Sequence, residues 1–126
     1  VILLGGGTDY PLSHEWTTTG VTLANEVKAW NDAFQSNPRY QITEFKDFYI
    51  ISVGGSISVT SDITADEASI ITFPDPVNAD SWVVLEQYGE NRDAKLLLQG
   101  NSIILGTGTM TTGVYTHFSG TFIKAK

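Results

Sequence analysis

Two histidines, His14 and His117, are the only imidazoles in the chain, and there is no cysteine. Hydrolysis requires a nucleophile beside its base, a pair of carboxylates, or a metal with an open coordination position. No His-Glu-x-x-His or comparable ligand spacing occurs in the sequence. His117 stands two residues from Ser119 and would share its strand face, but the sequence identifies no group to orient it as a base. A structural role is therefore the simpler reading of His117, and the chain reads as a binding protein rather than an enzyme.

Asp62, Asp66 and Glu67 form the densest acidic patch. They lack the Asp-x-Asp-x-Asp-Gly frame of a dedicated calcium loop, so they read as a solvated turn and no metal is assigned. Gly5-Gly6-Gly7 is followed by neither Gly-Lys-Ser/Thr nor an opening helix, and no cofactor is implied. The run Gln87 to Asp93 is richer, because it groups an aromatic ring with amide, guanidinium and carboxylate groups. Sugars are held by this combination: their apolar faces stack on a ring while their hydroxyls exchange hydrogen bonds with fixed polar groups. Tyr88, Glu90, Asn91, Arg92 and Asp93, together with Tyr115, are the candidate saccharide contacts. A polar turn with an internal Arg-carboxylate pair accounts for the same residues. Trp82, at the start of a strand, fits a packed core better than a sugar platform.

The elements that must position these groups are mostly strands. Apolar residues make up 41% of the 126 residues and charged ones 17%, a globular balance for one domain in which Thr, Ser, Asn and Gly replace many charges. The net charge of −7 comes without any Lys/Arg stripe, which disfavours nucleic acid and anionic membranes as partners. No apolar run approaches the roughly 20 residues needed to span a bilayer, so no membrane insertion is expected. The sequence begins at Val1 without methionine or leader features and reads as a C-terminal piece of a longer product.

Residues 1–20 read as a connector carrying unusually much apolar surface in Ile2, Leu3, Leu4, Leu12 and Trp16. In residues 21–38, Leu23, Val27, Trp30 and Phe34 recur at four, three and four residues, predicting a short helix capped by Thr22 and ended by Pro38, or a linker packed on the β domain. The same residues would also suit strands. Residues 39–126 form the β domain. Tyr40–Phe45 and Phe48–Val53 pair across Lys46-Asp47, and Gly54-Gly55 suggests a bulge or bend before Ser56–Thr60. Ser69–Phe73 and Ser81–Tyr88 come next, Gly100-Asn101 closes a hairpin, and the last strand points Val114, Thr116, Phe118, Gly120 and Phe122 to one side. The sum is an all-β fold, an antiparallel β-sandwich or jelly-roll-like barrel of about seven strands with one short N-terminal helix.

The N-terminal Val1-Ile2-Leu3-Leu4-Gly5-Gly6-Gly7-Thr8-Asp9-Tyr10-Pro11-Leu12-Ser13 resembles connectors of phage tail fibres just ahead of a terminal domain. Tyr49 to Ile57 with its Gly-Ser kink, Ile71-Thr72-Phe73-Pro74, the Gly100-Asn101 hairpin and the closing Phe118 to Lys124 resemble the head domains of siphophage receptor-binding proteins. The resemblance implies a homotrimeric β head on a phage or prophage tail, in the virion and extracellular. Such a head holds host surface saccharide by avidity and contacts other tail or baseplate proteins. A purely structural trimerising module is the alternative. Lactococcal heads carry a His-x-Asp strand and a following Trp in their sugar site, where this chain has Lys95-Leu96-Leu97-Leu98 and Ile103-Ile104-Leu105. No binding residue of that family carries over.

Overall fold

The computed structural model describes residues 9–65, 68–90 and 93–126; the Gly5-Gly6-Gly7 run, Asp66, Glu67, Asn91 and Arg92 lie outside the described residues. In chain order the strands are β1 (Leu12–Ser13), β2 (Thr22–Leu23), β3 (Val27–Ala29), β4 (Arg39–Glu44), β5 (Phe48–Val59), β6 (Ile63–Thr64) and β7 (Ser69–Thr72), then β8 (Ala79–Val84), β9 (Glu86–Gly89), β10 (Lys95–Gly100), β11 (Ser102–Thr107), β12 (Thr109–Met110) and β13 (Thr116–Ala125). All pairings are antiparallel. One sheet runs β1-β4-β5-β13-β9 with β3 also on β5, a second runs β2-β7-β11-β10-β8, and β12 pairs with β6.

The all-β expectation holds, but among the described residues there are 13 strands rather than about seven. The difference has two physical sources. Strands of two or three residues carry no readable period, and the run Ser81–Tyr88, read as one strand, changes sheets at its middle. β8 pairs with β10 in the second sheet, β9 pairs with β13 in the first, and the buried Leu85 is the single residue between them. The opposite side is laced in the same way, since β2 pairs with β7 while β3, three residues on, pairs with β5.

That second crossing replaces the expected N-terminal helix; the only helical turn among the described residues is the 3-10 turn Phe34–Ser36. Of the four residues at helical spacing only Val27 is buried, while Leu23, Trp30 and Phe34 are all exposed. Tertiary strand pairing outweighs a helical period that β-branched Thr22 and Val27 supported only weakly. Asn31 then turns the chain, its Oδ1 accepting from the Ala33 N–H at 2.9 Å and from Ser36 Oγ at 2.6 Å. Ahead of this crossing, β1 pairs with the outer edge of β4 and Thr17 bridges to Tyr40, so the part of residues 1–20 that is described lies on the sheet. Glu44 ties its surroundings together, with Lys126 Nζ at 2.7 Å and His14 Nε2 at 3.7 Å.

One core fills the space between the sheets. Alternate residues of β5, Ile51, Val53, Ile57 and Val59, face it together with Phe118 of β13, and are met by Ile71, Leu96, Leu98, Ile103 and Leu105 from the second sheet. The Lys95–Leu98 and Ile103–Leu105 stretches are thus a core hairpin closed by the two-residue turn Gly100-Asn101, as its Gln99↔Ser102 pairing shows. Thr116 and Phe118 point inward as expected.

Of the bulge or bend expected at Gly54-Gly55, the bulge is absent: β5 is one long strand, and its pairing with β13 keeps one register from Thr116↔Ile57 to Ala125↔Phe48. The glycine serves close approach instead. A Cβ on Gly55 would stand 2.9 Å from Pro38 Cα and 3.2 Å from the Asn37 carbonyl oxygen. Both obstacles are backbone atoms, so Gly55→Ala should destabilise the domain by about 1–3 kcal/mol, the usual cost of overpacking. Urea unfolding followed by tryptophan fluorescence measures this; an unchanged midpoint would show that the Asn37-Pro38 turn yields.

Candidate functional site

Because side chains alternate along a strand, the residues of β5 and β13 that do not enter the core form an outward face. Register arranges this face in rows that cross the strands. The first row holds Trp30, Ser56, His117 and Tyr88: His117 is paired with Ser56 on one side and Tyr88 on the other, and the Trp30 N–H donates to the Ser56 carbonyl at 2.9 Å. The second row holds Arg39, Gly54, Ser119 and Glu86. The third holds Gln41, Ser52 and Thr121, with Ser52 Oγ and Thr121 Oγ1 3.0 Å apart. Successive rows are about 7 Å apart along the strands.

Two adjoining depressions lie on this face and share Glu86 and Ser119. One, of about 430 Å³, is lined by Trp16, Ser52, Val84, Glu86, Ser119 and Thr121. The other, of about 530 Å³, is lined by Glu86, Gln87, Tyr88, His117 and Ser119. Gly54 leaves room for Trp16, whose ring edge comes within 4.0 Å of where a Cβ would stand. The Arg39 guanidinium lies 4.7 Å from the centre of the Trp16 ring and 5.8 Å from that of Phe34, a cation–π arrangement that fixes one wall. The Gln87 amide fixes the opposite wall, donating to the Ala94 carbonyl at 2.9 Å and accepting from the Leu96 N–H at 2.7 Å.

His117 ties the first row together. Its Nδ1 is 2.8 Å from Ser56 Oγ, and its ring lies against Tyr88 with centroids 4.5 Å apart and a tilt of 30°. Desolvation first, and the positive charge of Arg39 second, hold its pKa below the ordinary 6.5. The imidazole is therefore neutral at pH 7, with one nitrogen donating and the other accepting. Tyr88 is 63% exposed and stands edge-on to Tyr115 at 6.4 Å; Tyr115 in turn meets Trp30 at 5.4 Å.

Of the residues expected to contact saccharide, the structure brings Tyr88 and Tyr115 together. Glu90 and Asp93 are exposed in the segment that leaves β9, with the Glu90 N–H donating to the Tyr115 carbonyl at 3.1 Å. Asn91 and Arg92 lie outside the described residues. Trp82, expected in the core, is 57% exposed on the outer side of β8. The cause is parity: Ala79 is the buried residue of that strand, and Trp82 falls on the opposite face from it. Asp62 does not stand free in its turn, since one carboxylate oxygen accepts from both the N–H and the hydroxyl of Thr112 at 2.7 and 2.6 Å, and these bonds lower its pKa. Trp16, Trp30, Arg39 and Glu86 were not singled out for binding by the sequence because their neighbours in space are far away in the chain. No protein-family model and no curated protein matches the chain.

The depressed pKa of His117 has a measurable consequence. Unfolded, the imidazole takes up its proton near the ordinary value of 6.5, whereas the folded protein resists it to lower pH. Between the two values the unfolded state binds more protons, so stability falls as the pH drops through that window. An NMR titration of the His117 ring should show a midpoint below 6.5, and Arg39→Gln should raise that midpoint towards the ordinary value. A midpoint at or above 6.5 in the unmodified protein would contradict the burial described.

Proposed function

We propose that the domain is a carbohydrate-binding head that holds its ligand on the outer face of the β1-β4-β5-β13-β9 sheet without turning it over. One observation carries this reading: a floor of hydroxyls and glycine, Ser52, Thr121, Ser119 and Gly54, lies between two aromatic rings, the partly buried Trp16 and the exposed Tyr88. Pyranose rings offer an apolar face to such platforms and a ring of hydroxyls to such floors. Glu86 accepts, Arg39 donates and neutral His117 can do either, which matches the mixed hydrogen-bonding character of sugar hydroxyls. We read the two sheets as a β-sandwich whose sides are closed by the β2–β3 and β8–β9 crossings. With the family resemblance, the head is proposed to sit at the tip of a phage tail fibre as a homotrimer, on the virion, adsorbing to host surface saccharide by avidity.

Glycan-array screening followed by calorimetry with the glycan retained tests this proposal. Tyr88→Ala should weaken binding about tenfold, the equivalent of 1.4 kcal/mol, by removing one stacking platform. Glu86→Gln should weaken it by a similar factor through loss of a charge-assisted acceptor. Absence of binding to every glycan would overturn the reading.

A structural trimerising module is the second reading, and the apolar surface beside the groove favours it. Val84 is 80% exposed, Ile123 66% and Trp82 57%. β8 lies alongside the last half of β13, where Lys124 Nζ meets Asp80 at 2.6 Å. If this strip holds subunits together, Val84→Asp combined with Ile123→Asp should convert a sedimenting trimer to monomer.

A further inference from the structure

Resting on the carbohydrate reading of the outer face, we infer that the site takes an extended, linear oligosaccharide laid across the strands, with Trp30 as a remote subsite, rather than a single terminal sugar. The first row is a continuous line of recognition groups. Trp30 follows β3 at one end, Ser56 of β5 and His117 of β13 lie between, and Tyr88 of β9 closes the other end. Three strand spacings, about 14 Å, separate the backbone positions of its ends, and because both end rings meet Tyr115, at 5.4 and 6.4 Å, their centres lie no more than about 12 Å apart, a limit still beyond the length of one pyranose ring.

The composition of the row changes along its length in a way that suits a chain of sugars. Its ends are aromatic and accessible, Trp30 at 41% and Tyr88 at 63% exposed. Its middle is the Ser56–His117 hydrogen-bonded pair, 2.8 Å apart. Apolar ring faces at both ends with a polar pair between them fit stacked terminal units and a hydrogen-bonded middle unit. Tyr115 stands beside the row and buttresses both platforms, 5.4 Å from Trp30 and 6.4 Å from Tyr88.

A second observation marks the Trp30 end. Ser58, on the same outward face of β5 and opposite Lys28 of β3, is 1% exposed, and its Oγ has no hydrogen-bond partner. Continued register places it beside Tyr115, next to the Trp30 platform. An orphaned buried hydroxyl costs about 1–3 kcal/mol, so the packing at this end of the row carries an unmet polar group beneath the rings.

Length dependence is the test. A series of linear oligosaccharides from one to six units, built from the sugar that the glycan array retains, is titrated into the unmodified domain and into Trp30→Ala. Affinity should rise at least tenfold between the monosaccharide and the trisaccharide. Trp30→Ala should cancel that gain, and Trp30→Tyr should restore most of it. Equal affinity for the monosaccharide and the longer chains overturns the extended site while leaving carbohydrate binding intact. A parallel loss for all lengths in Trp30→Ala, with Trp30→Tyr no better, also overturns it. Failure of every glycan to bind the unmodified domain removes the carbohydrate reading itself.

Discussion

The unbroken pairing of β5 with β13 is the constraint on which the rest of the molecule depends. Ten residues of β13 are in register with β5, and both neighbours of this pair, β4 with β3 on one side and β9 on the other, inherit their side-chain parity from it. A slip of β13 by one residue would send Phe118 to solvent and His117 and Ser119 into the core. Burial of Phe118, with Ile57, Val53 and Ile51 of β5, therefore determines the composition of the outer face. The core and the candidate site are alternate residues of the same two strands.

This arrangement explains what the sequence made legible. The β4–β5 pair, the Gly100-Asn101 hairpin and the inward face of β13 are local patterns, each contained in fewer than twenty residues, and all three read correctly. The helical period of Leu23, Val27, Trp30 and Phe34 was misleading because a strand segment that leaves one sheet and joins the other obeys neither sheet's alternation for long. Ser81 to Tyr88 failed for the same reason. Both crossings are dictated by where the chain must close the core, which no window of sequence contains.

The candidate site was partly visible because one of its residues, Tyr88, lies in a locally polar stretch. Its other members come from separate segments. Trp30 and His117 are 87 positions apart in sequence, yet they are separated by a single strand in the sheet. Residue type alone favoured a structural histidine and a tryptophan belonging to a buried face. Position revises the second reading: the indole is exposed, at the end of the row in which the imidazole lies between a tyrosine ring and a serine hydroxyl.

The adjacent glycines show how tightly the two faces are coupled. Gly55 points towards the side where Asn37 and Pro38 press against β5, and Gly54 points outward beneath Trp16. A side chain at Gly55 would push the β3–β4 connection away and with it the start of β4, which carries Arg39. A Cβ at Gly54 would meet Trp16 at 4.0 Å, an ordinary contact, so only a side chain longer than alanine's would lift that ring, on which Arg39 stacks. Two consecutive positions on one strand thus act on the same groove wall from opposite faces, one through backbone packing and the other through the indole. A strand facing solvent on one side needs small residues at neither position. Their presence here results from the close packing of both faces at the point where the groove is built.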